Sequence, residues 1–310
     1  MINRLREYST QIIGMLVERS KSLLLPGFEG VPLFDAGKFF VEGIKNGAIQ
    51  TRAKAMAFSF FLAMFPAIIF VFTLIPYIPI NGFQEYLMFI LQSAVPASTY
   101  SAVSTTIEDI VTNQRGDLLS LGFFTALFFL TNGVEALIEG FNTTYHNIAI
   151  RSFWSKKIAA ISLTLILTFL VLFAITLLIL NQIISFYIDE KIVELGNTQK
   201  YFLMFGKWFI LIAVCYSIVS FLYTFGPAKR ERWRFFSAGS TCATFLLIGS
   251  SLAFNFYLDN FGSYNKLYGS IGTVMIILIW IFINCLMVIL GFELNAAVKA
   301  AKKENTKIGA

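Results

Sequence analysis

Glu135, Glu139, Asn142 and His146 stand 4, 3 and 4 residues apart in an otherwise apolar stretch. At about 100° per residue, a helix places their side chains within roughly 60° of one another. They form one polar stripe, which Asn132 extends. A carboxylate inside a bilayer costs about 2.5–3.5 kcal/mol on insertion scales. Two on one helix face must therefore meet protein, water or a partner. Such a stripe can line a polar pathway for protons, ions or a lipid headgroup. It can equally be packed, with Glu139 and His146 at the cytoplasmic interface and Glu135 paired to a basic residue of another helix.

Two further candidates carry charge. Glu293 lies at the inner end of the last apolar run. It is expected to be a structural tie, bonded to Asn142 or capping a neighbouring helix, rather than a reactive group. Lys229, Arg230, Arg232 and Arg234 form the densest basic cluster in the chain. Anionic headgroups attract such residues by about 1 kcal/mol each, so the cluster is a headgroup-binding candidate. The same cluster also reads simply as a topology signal.

Enzyme chemistry finds no foothold. The chain has no Gly-rich phosphate loop, no His-Glu-x-x-His and no Gly-x-Ser-x-Gly, and no carboxylate cluster suited to two-metal nuclease chemistry. Cys215, Cys242 and Cys285 each sit in an apolar run and act there as small apolar residues. The single histidine excludes a His-rich metal site. No catalytic residue, cofactor or metal is expected. The basic residues are dispersed rather than gathered on one RNA-binding face, so no nucleic-acid partner is expected. Membrane lipids are, together with a lipidic or amphipathic substrate.

The elements that must position these residues are transmembrane helices. Of 310 residues, 57% are hydrophobic and only 14% charged, where a soluble domain is near 25%. The start, 1–21, has charges on both sides of a short apolar patch and is not read as a cleavable signal peptide. Six spans are expected, at about 55–75, 118–145, 158–188, 201–225, 235–258 and 269–292. The last has no charged residue over 24 positions, from Gly269 to Phe292. An apolar helix of about 20 residues suffices to cross a bilayer. The third has 31 uncharged positions, so it must tilt or protrude. Pro66 interrupts the first span and is expected to kink it.

The chain thus divides into an amphipathic N-terminal segment, 1–54, a six-helix domain, 55–298, and a basic tail, 299–310. Between Asp35 and Lys54 the apolar residues Phe39, Phe40, Ile44, Ala48 and Ile49 approach a 3.6 period, with Asp35 as N-cap. The segment reads as a helix lying on the cytoplasmic membrane surface, or as one packed under the helix bundle. Two short helices, Gly82 to Ala94 and Ser98 to Thr112, are expected as an extracytoplasmic cap. Of 24 Lys and Arg, 19 fall in the four segments expected inside. Only Arg115, Lys191, Lys200, Lys207 and Lys266 do not. That bias places both termini in the cytoplasm.

With the residues laid out, the chain resembles the YihY/BrkB family of bacterial inner-membrane proteins. The likeness rests on Ala57 to Pro66, on Val95-Pro96-Ala97, on Phe141-Asn142-Thr143-Thr144-Tyr145, and on Tyr268-Gly269, Gly272, Trp280 and Gly291-Phe292-Glu293-Leu294-Asn295. Tyr145 stands where the family has Trp, and Phe292 where it usually has Ala. The resemblance covers roughly 35–300 and implies a six-span inner-membrane protein. It implies no settled activity. An old label as a tRNA-processing ribonuclease is generally regarded as a misassignment. Other associations are with serum resistance and with export of lipid or lipopolysaccharide precursors. The expected function is a transporter or flippase-like protein for such a substrate, with a non-transporting envelope scaffold as the competing class.

Overall fold

A computed structural model describes residues 18–77, 88, 97–144, 147–148, 151–191, 197–228, 235–261 and 270–308. Its main helices are α1 (Leu33–Asn46), α2 (Ile49–Leu74), α3 (Ala97–Thr112), α4 (Gly116–Asn142), α5 (Phe153–Lys191), α6 (Asn197–Phe225), α7 (Ala238–Phe261) and α8 (Ser270–Ile308). Among the described residues, six segments are long and apolar enough to cross a bilayer: Ile49–Tyr77, Gly116–Asn142, Phe153–Ala174, Trp208–Phe225, Ala238–Leu258 and Gly272–Lys307. They match the six expected spans, and the fold is all-α. Its surface is inverted relative to a soluble protein. Phe124, Phe169 and Phe245 are 66%, 69% and 74% exposed, an arrangement that lipid accepts and water does not.

Element boundaries differ from the sequence reading in informative ways. The helix expected from Asp35 to Lys54 is broken. The Gly47 amide closes α1 on the Gly43 carbonyl at 2.8 Å, and Ala48 adopts a left-handed φ of 47° before α2 begins. Asp35 is not the N-cap, a position Pro32 holds; it lies in the first turn and accepts from the Asn305 amide. α5 starts at Phe153, so Lys156 and Lys157 sit on its first turns rather than in a loop. α4 stops at Asn142, where Thr143–Thr144 pairs antiparallel with Asn147–Ile148. α8 continues to Ile308, so most of the expected tail is helix. At about 1.5 Å per residue its 39 residues span about 58 Å, far beyond a hydrocarbon core of about 30 Å. α3 covers the range of the second short helix expected between the first two spans. The first, residue 88 apart, lies outside the described residues.

The chain forms two compact units. One is Ala57–Gly133. Within it α2 runs through Pro66, and Phe70 packs on Phe123 of α4 with ring centroids 5.6 Å apart. α3 packs on the short 3-10 turn Ile75–Tyr77, and the Gln114 amide donates to the Pro76 carbonyl at 3.2 Å.

The other unit is Met1–Met56 with Val134–Ala310. Here α8 packs along both α7 and α1, α5 lies on α6, and α6 lies on α7. Val298 and Ala301 of α8 close over Phe28, Val31, Ala36 and Ala238, with Leu33 and Phe39 at the margin. The α7–α8 crossing requires glycine on both sides. A Cβ on Gly239 would lie 2.1 Å from the Gly291 carbonyl oxygen, and one on Gly291 would lie 2.7 Å from that of Gly239. The small residues on the early face of α7 therefore permit a close approach.

Candidate functional site

The carboxylates of the α4 stripe are held by the start of α5. Lys157 bonds the Glu135 Oε2, and Lys156 reaches both Glu135 Oε1 at 3.2 Å and Glu139 Oε2 at 3.3 Å. Two carboxylates meet two ammonium groups, so the cluster is neutral. Glu135 is covered, its side chain 14% exposed, while that of Glu139 is 63% exposed. The β1–β2 pair, Thr143–Thr144 with Asn147–Ile148, turns the chain so that α5 can return its lysines to α4.

Asn142 parts company with the stripe. Its Oδ1 accepts from the Ala228 amide at 2.7 Å, which ties the end of α4 to the end of α6. His146 lies outside the described residues, as do Lys229, Arg230, Arg232 and Arg234.

Glu293 does not bond Asn142. Its side chain is fully buried and its Oε2 meets Arg52 Nη2 at 2.9 Å. The physical reason is charge. A carboxylate without water needs a cation rather than a neutral amide, and Arg52 supplies one. Arg52 Nη1 also donates to the Gly140 carbonyl at 2.8 Å. That carbonyl belongs to the last turn of α4, where acceptors have no partner within the helix. The guanidinium therefore caps α4 at its negative end while neutralising Glu293. Among the described residues, Arg52 Nε and Glu293 Oε1 have no hydrogen-bond partner. Oε1 faces Gly43 of α1, where a Cβ would stand only 2.6 Å away.

The same region gathers further motif residues. Phe292 stacks on Phe141 with centroids 4.2 Å apart and meets Tyr223 edge-on at 5.5 Å. The aromatic ring at 292 is thus accommodated by two others. Tyr223 donates to the Val288 carbonyl at 2.6 Å. Asn295 accepts from the Gly239 amide at 2.7 Å and donates to Ser237 Oγ at 3.0 Å, and so caps α7. Phe141-Asn142 and Phe292-Glu293-Leu294-Asn295, far apart in sequence, thereby frame one buried node.

A second feature is a lateral groove of about 480 Å³ along α5. Ser155, Ala159, Ser162 and Ile166 line its length, Phe225 and Ala228 form its other wall, and Arg151 stands at one end. Arg151 Nη2 donates to the Pro227 carbonyl at 2.9 Å. Glu135 does not line this groove. Among the described residues no group of three or more His, Cys, Asp or Glu has the arrangement of a metal site.

Sequence reasoning missed Arg52 as a partner and placed Lys156 and Lys157 only as topology markers. A usable signal existed for the first. A carboxylate as deep as Glu293 demands a cation, and Arg52 stands beside the start of the first span.

The chain matches the family model described as Virulence factor BrkB over residues 40–310. It is 30% identical over 256 residues to YfkH of Bacillus subtilis (strain 168), a protein named as ribonuclease-like; the match covers 82% of this chain and 91% of that one. It is 23% identical over 282 residues to a UPF0761 membrane protein of Vibrio campbellii, covering 89% of this chain and 84% of the relative. A UPF0761 membrane protein of Pseudoalteromonas atlantica is 25% identical over 280 residues, with 87% and 88% covered. No solved structure matches. With a family model spanning nearly the whole chain and a six-helix membrane body beneath it, the protein belongs to the BrkB family of membrane proteins.

Proposed function

We propose that the protein is a transporter or flippase-like protein of the bacterial cytoplasmic (inner) membrane, with both termini inside, acting on a lipidic or amphipathic envelope substrate. The lateral groove on α5 carries this reading. From Ser155 to Ile166 it runs about 16 Å along the helix, close to half of a hydrocarbon core of about 30 Å. An acyl chain fits that length, and the Arg151 end offers a polar terminus for a headgroup. Glu135, Glu139, Asn142 and His146 remain the candidates for a polar pathway, and Lys229, Arg230, Arg232 and Arg234 for attracting anionic headgroups. As a pathway the stripe must let go of Lys156 and Lys157 during transport.

The test is leaflet exchange. Protein in vesicles is expected to speed the movement of a short-chain fluorescent phospholipid between leaflets, read by dithionite bleaching. Ser162→Trp fills the groove and is expected to lower the rate at least tenfold. Phe173→Trp, exposed elsewhere on α5, should leave it unchanged. If folded wild-type protein gives no acceleration, transport of phospholipid is excluded.

A second reading is a membrane scaffold without transport. The neutral Glu135–Lys157 and Glu139–Lys156 contacts favour it, because carboxylates paired in this way need no pathway to explain them. Glu135→Gln with Glu139→Gln separates the two: a scaffold tolerates the pair, whereas the pathway loses flux. The ribonuclease wording attached to YfkH is not carried over. No constellation suited to phosphodiester cleavage stands among the described residues.

A further inference from the structure

Among the described residues, α1 is covered on one side. Ala36 and Gly43 are buried, and Leu33 and Phe39 pack with Val298 and Ala301 of α8. With Ala36 at 0° and about 100° per residue, Phe40, Leu33, Ile44, Gly37, Val41 and Phe34 follow between about 40° and 160°, with Leu33 at the margin that packs on α8. Ile44 and Val41 are exposed, at 41% and 47%. Leu23, whose carbonyl accepts from the Leu33 amide, extends this apolar surface with Leu24 and Leu25, all three exposed. A shallow trough of about 560 Å³ lies along the same flank, lined by Phe34, Gly37 and Val41 and edged by Lys38, Glu42 and Lys45.

We propose that this flank of α1, with Leu23 to Leu25, rests on the anionic surface of the bilayer that the protein spans. Three observations converge on that occupant. The first is the order of side chains around the helix: an apolar sector, then Lys45 and Lys38 near 180–200°, then Glu42, Asp35 and Asn46 beyond about 240°. A helix lying in the headgroup layer presents that order, with lysines at the edge of its buried face. The second is charge complementarity. Lys38 and Lys45 border the sector, and Lys21 lies 5.5 Å from the Phe34 ring. An anionic leaflet attracts each of them; Glu42 edges the trough past Lys38 and Asp35 lies farther round, so three ammonium groups meet one carboxylate along this flank. The third is continuity with the membrane. Asn46 ends α1 and Ile49 begins the first spanning helix, so the two are at most about 11 Å apart. The left-handed Ala48 turns the chain between them. This inference goes beyond the transport reading and stands without it.

Depth measurement tests it. Cys215, Cys242 and Cys285 are replaced by Ala, and single cysteines are placed at Val41, Ile44, Glu42 and Asn46. The full chain is reconstituted in vesicles of phosphatidylglycerol and phosphatidylcholine. Spin labels at Val41 and Ile44 are expected to favour oxygen over an aqueous nickel chelate, with labels at Glu42 and Asn46 showing the reverse. A water-soluble maleimide should react with Val41→Cys and Ile44→Cys at least tenfold more slowly in vesicles than in detergent. Lys38→Gln with Lys45→Gln should restore several-fold of that rate in phosphatidylglycerol vesicles. Equal aqueous access at all four sites overturns the proposal, whether water or a protein partner covers the flank in cells. So does a maleimide rate indifferent to phosphatidylglycerol. If the cysteine-free chain fails to fold, Val41→Trp in the native chain replaces it. Brominated lipid should then quench added fluorescence that acrylamide spares, and the opposite pattern overturns the proposal.

Discussion

Arg52 and Glu293 are the residues on which the buried node turns. Their charges are 9% and 0% exposed, so each depends on the other for neutrality. Removing one partner of a buried pair typically costs about 3–5 kcal/mol, because the other is left charged without solvent. Glu293→Leu and Arg52→Met are each expected to lose about that much, read as thermal unfolding in detergent. The double variant Arg52→Met with Glu293→Leu should regain most of it. Fully additive losses would sink the pairing argument. Gly43→Ala adds a methyl where Glu293 Oε1 now stands. It is expected to cost about 1–3 kcal/mol as α1 is forced outward.

Asp109 offers a residue-scale pH effect outside the spans. Hydrogen bonds from Arg115 and then Asn113 hold its carboxyl below the usual carboxylate value. A depressed folded pKa stabilises above the unfolded value, about 3.9, and the contribution fades as pH falls below it. Amide protection in the last turn of α3, taken relative to the intrinsic exchange rate at each pH, should therefore fall on acidification through that window. Asp109→Asn should flatten the dependence, and an unchanged profile in that variant would refute it.

Among elements, the α7–α8 contact is the most demanding. Backbone meets backbone at Gly239 and Gly291, and Asn295 of α8 supplies the cap of α7. Ser237 and Ser240 add a reciprocal pair of side-chain to backbone bonds at the same terminus, each 3.1 Å long. Gly239→Val is expected to push the helices apart and lower the unfolding temperature sharply. Ser237→Ala should cost about 0.5–2 kcal/mol, the usual loss of an N-cap. A melting curve ranks the two, and equal small effects would show that the crossing is looser than its geometry implies. The existence of these helices was plain from apolar run length. Their ends were not. The start of α5 and the end of α4 depend on a two-residue strand pair and on lysines that Glu135 and Glu139 draw in. Ala48 breaks an apolar period that otherwise continues, because α1 must turn to lie on α8.

At the scale of the whole molecule the proposed threading makes a simple demand. Reporters inserted after Ile148 and after Ala228 should both face the cytoplasm, and a reporter within 262–269 should face outward. Reporters after Ile148 and Ala228 on opposite sides would discard the six-span threading and the assignment of the Glu135 stripe to one membrane end.

Composition and pattern alone established a helical membrane protein with six spans, because the cost of burying charge in lipid is local and length-dependent. They also marked Glu135, Glu139, Asn142 and Glu293 as costly positions that need partners. Which partners they take was decided only in three dimensions. Arg52 and Glu293 are 241 residues apart, and no periodicity reaches that far. Packing brings them together, since a buried carboxylate is stable only beside a cation held in place by neighbouring helices. The groove on α5 and the open flank of α1 belong to the same category: both are set by which faces the helices cover and which they leave bare.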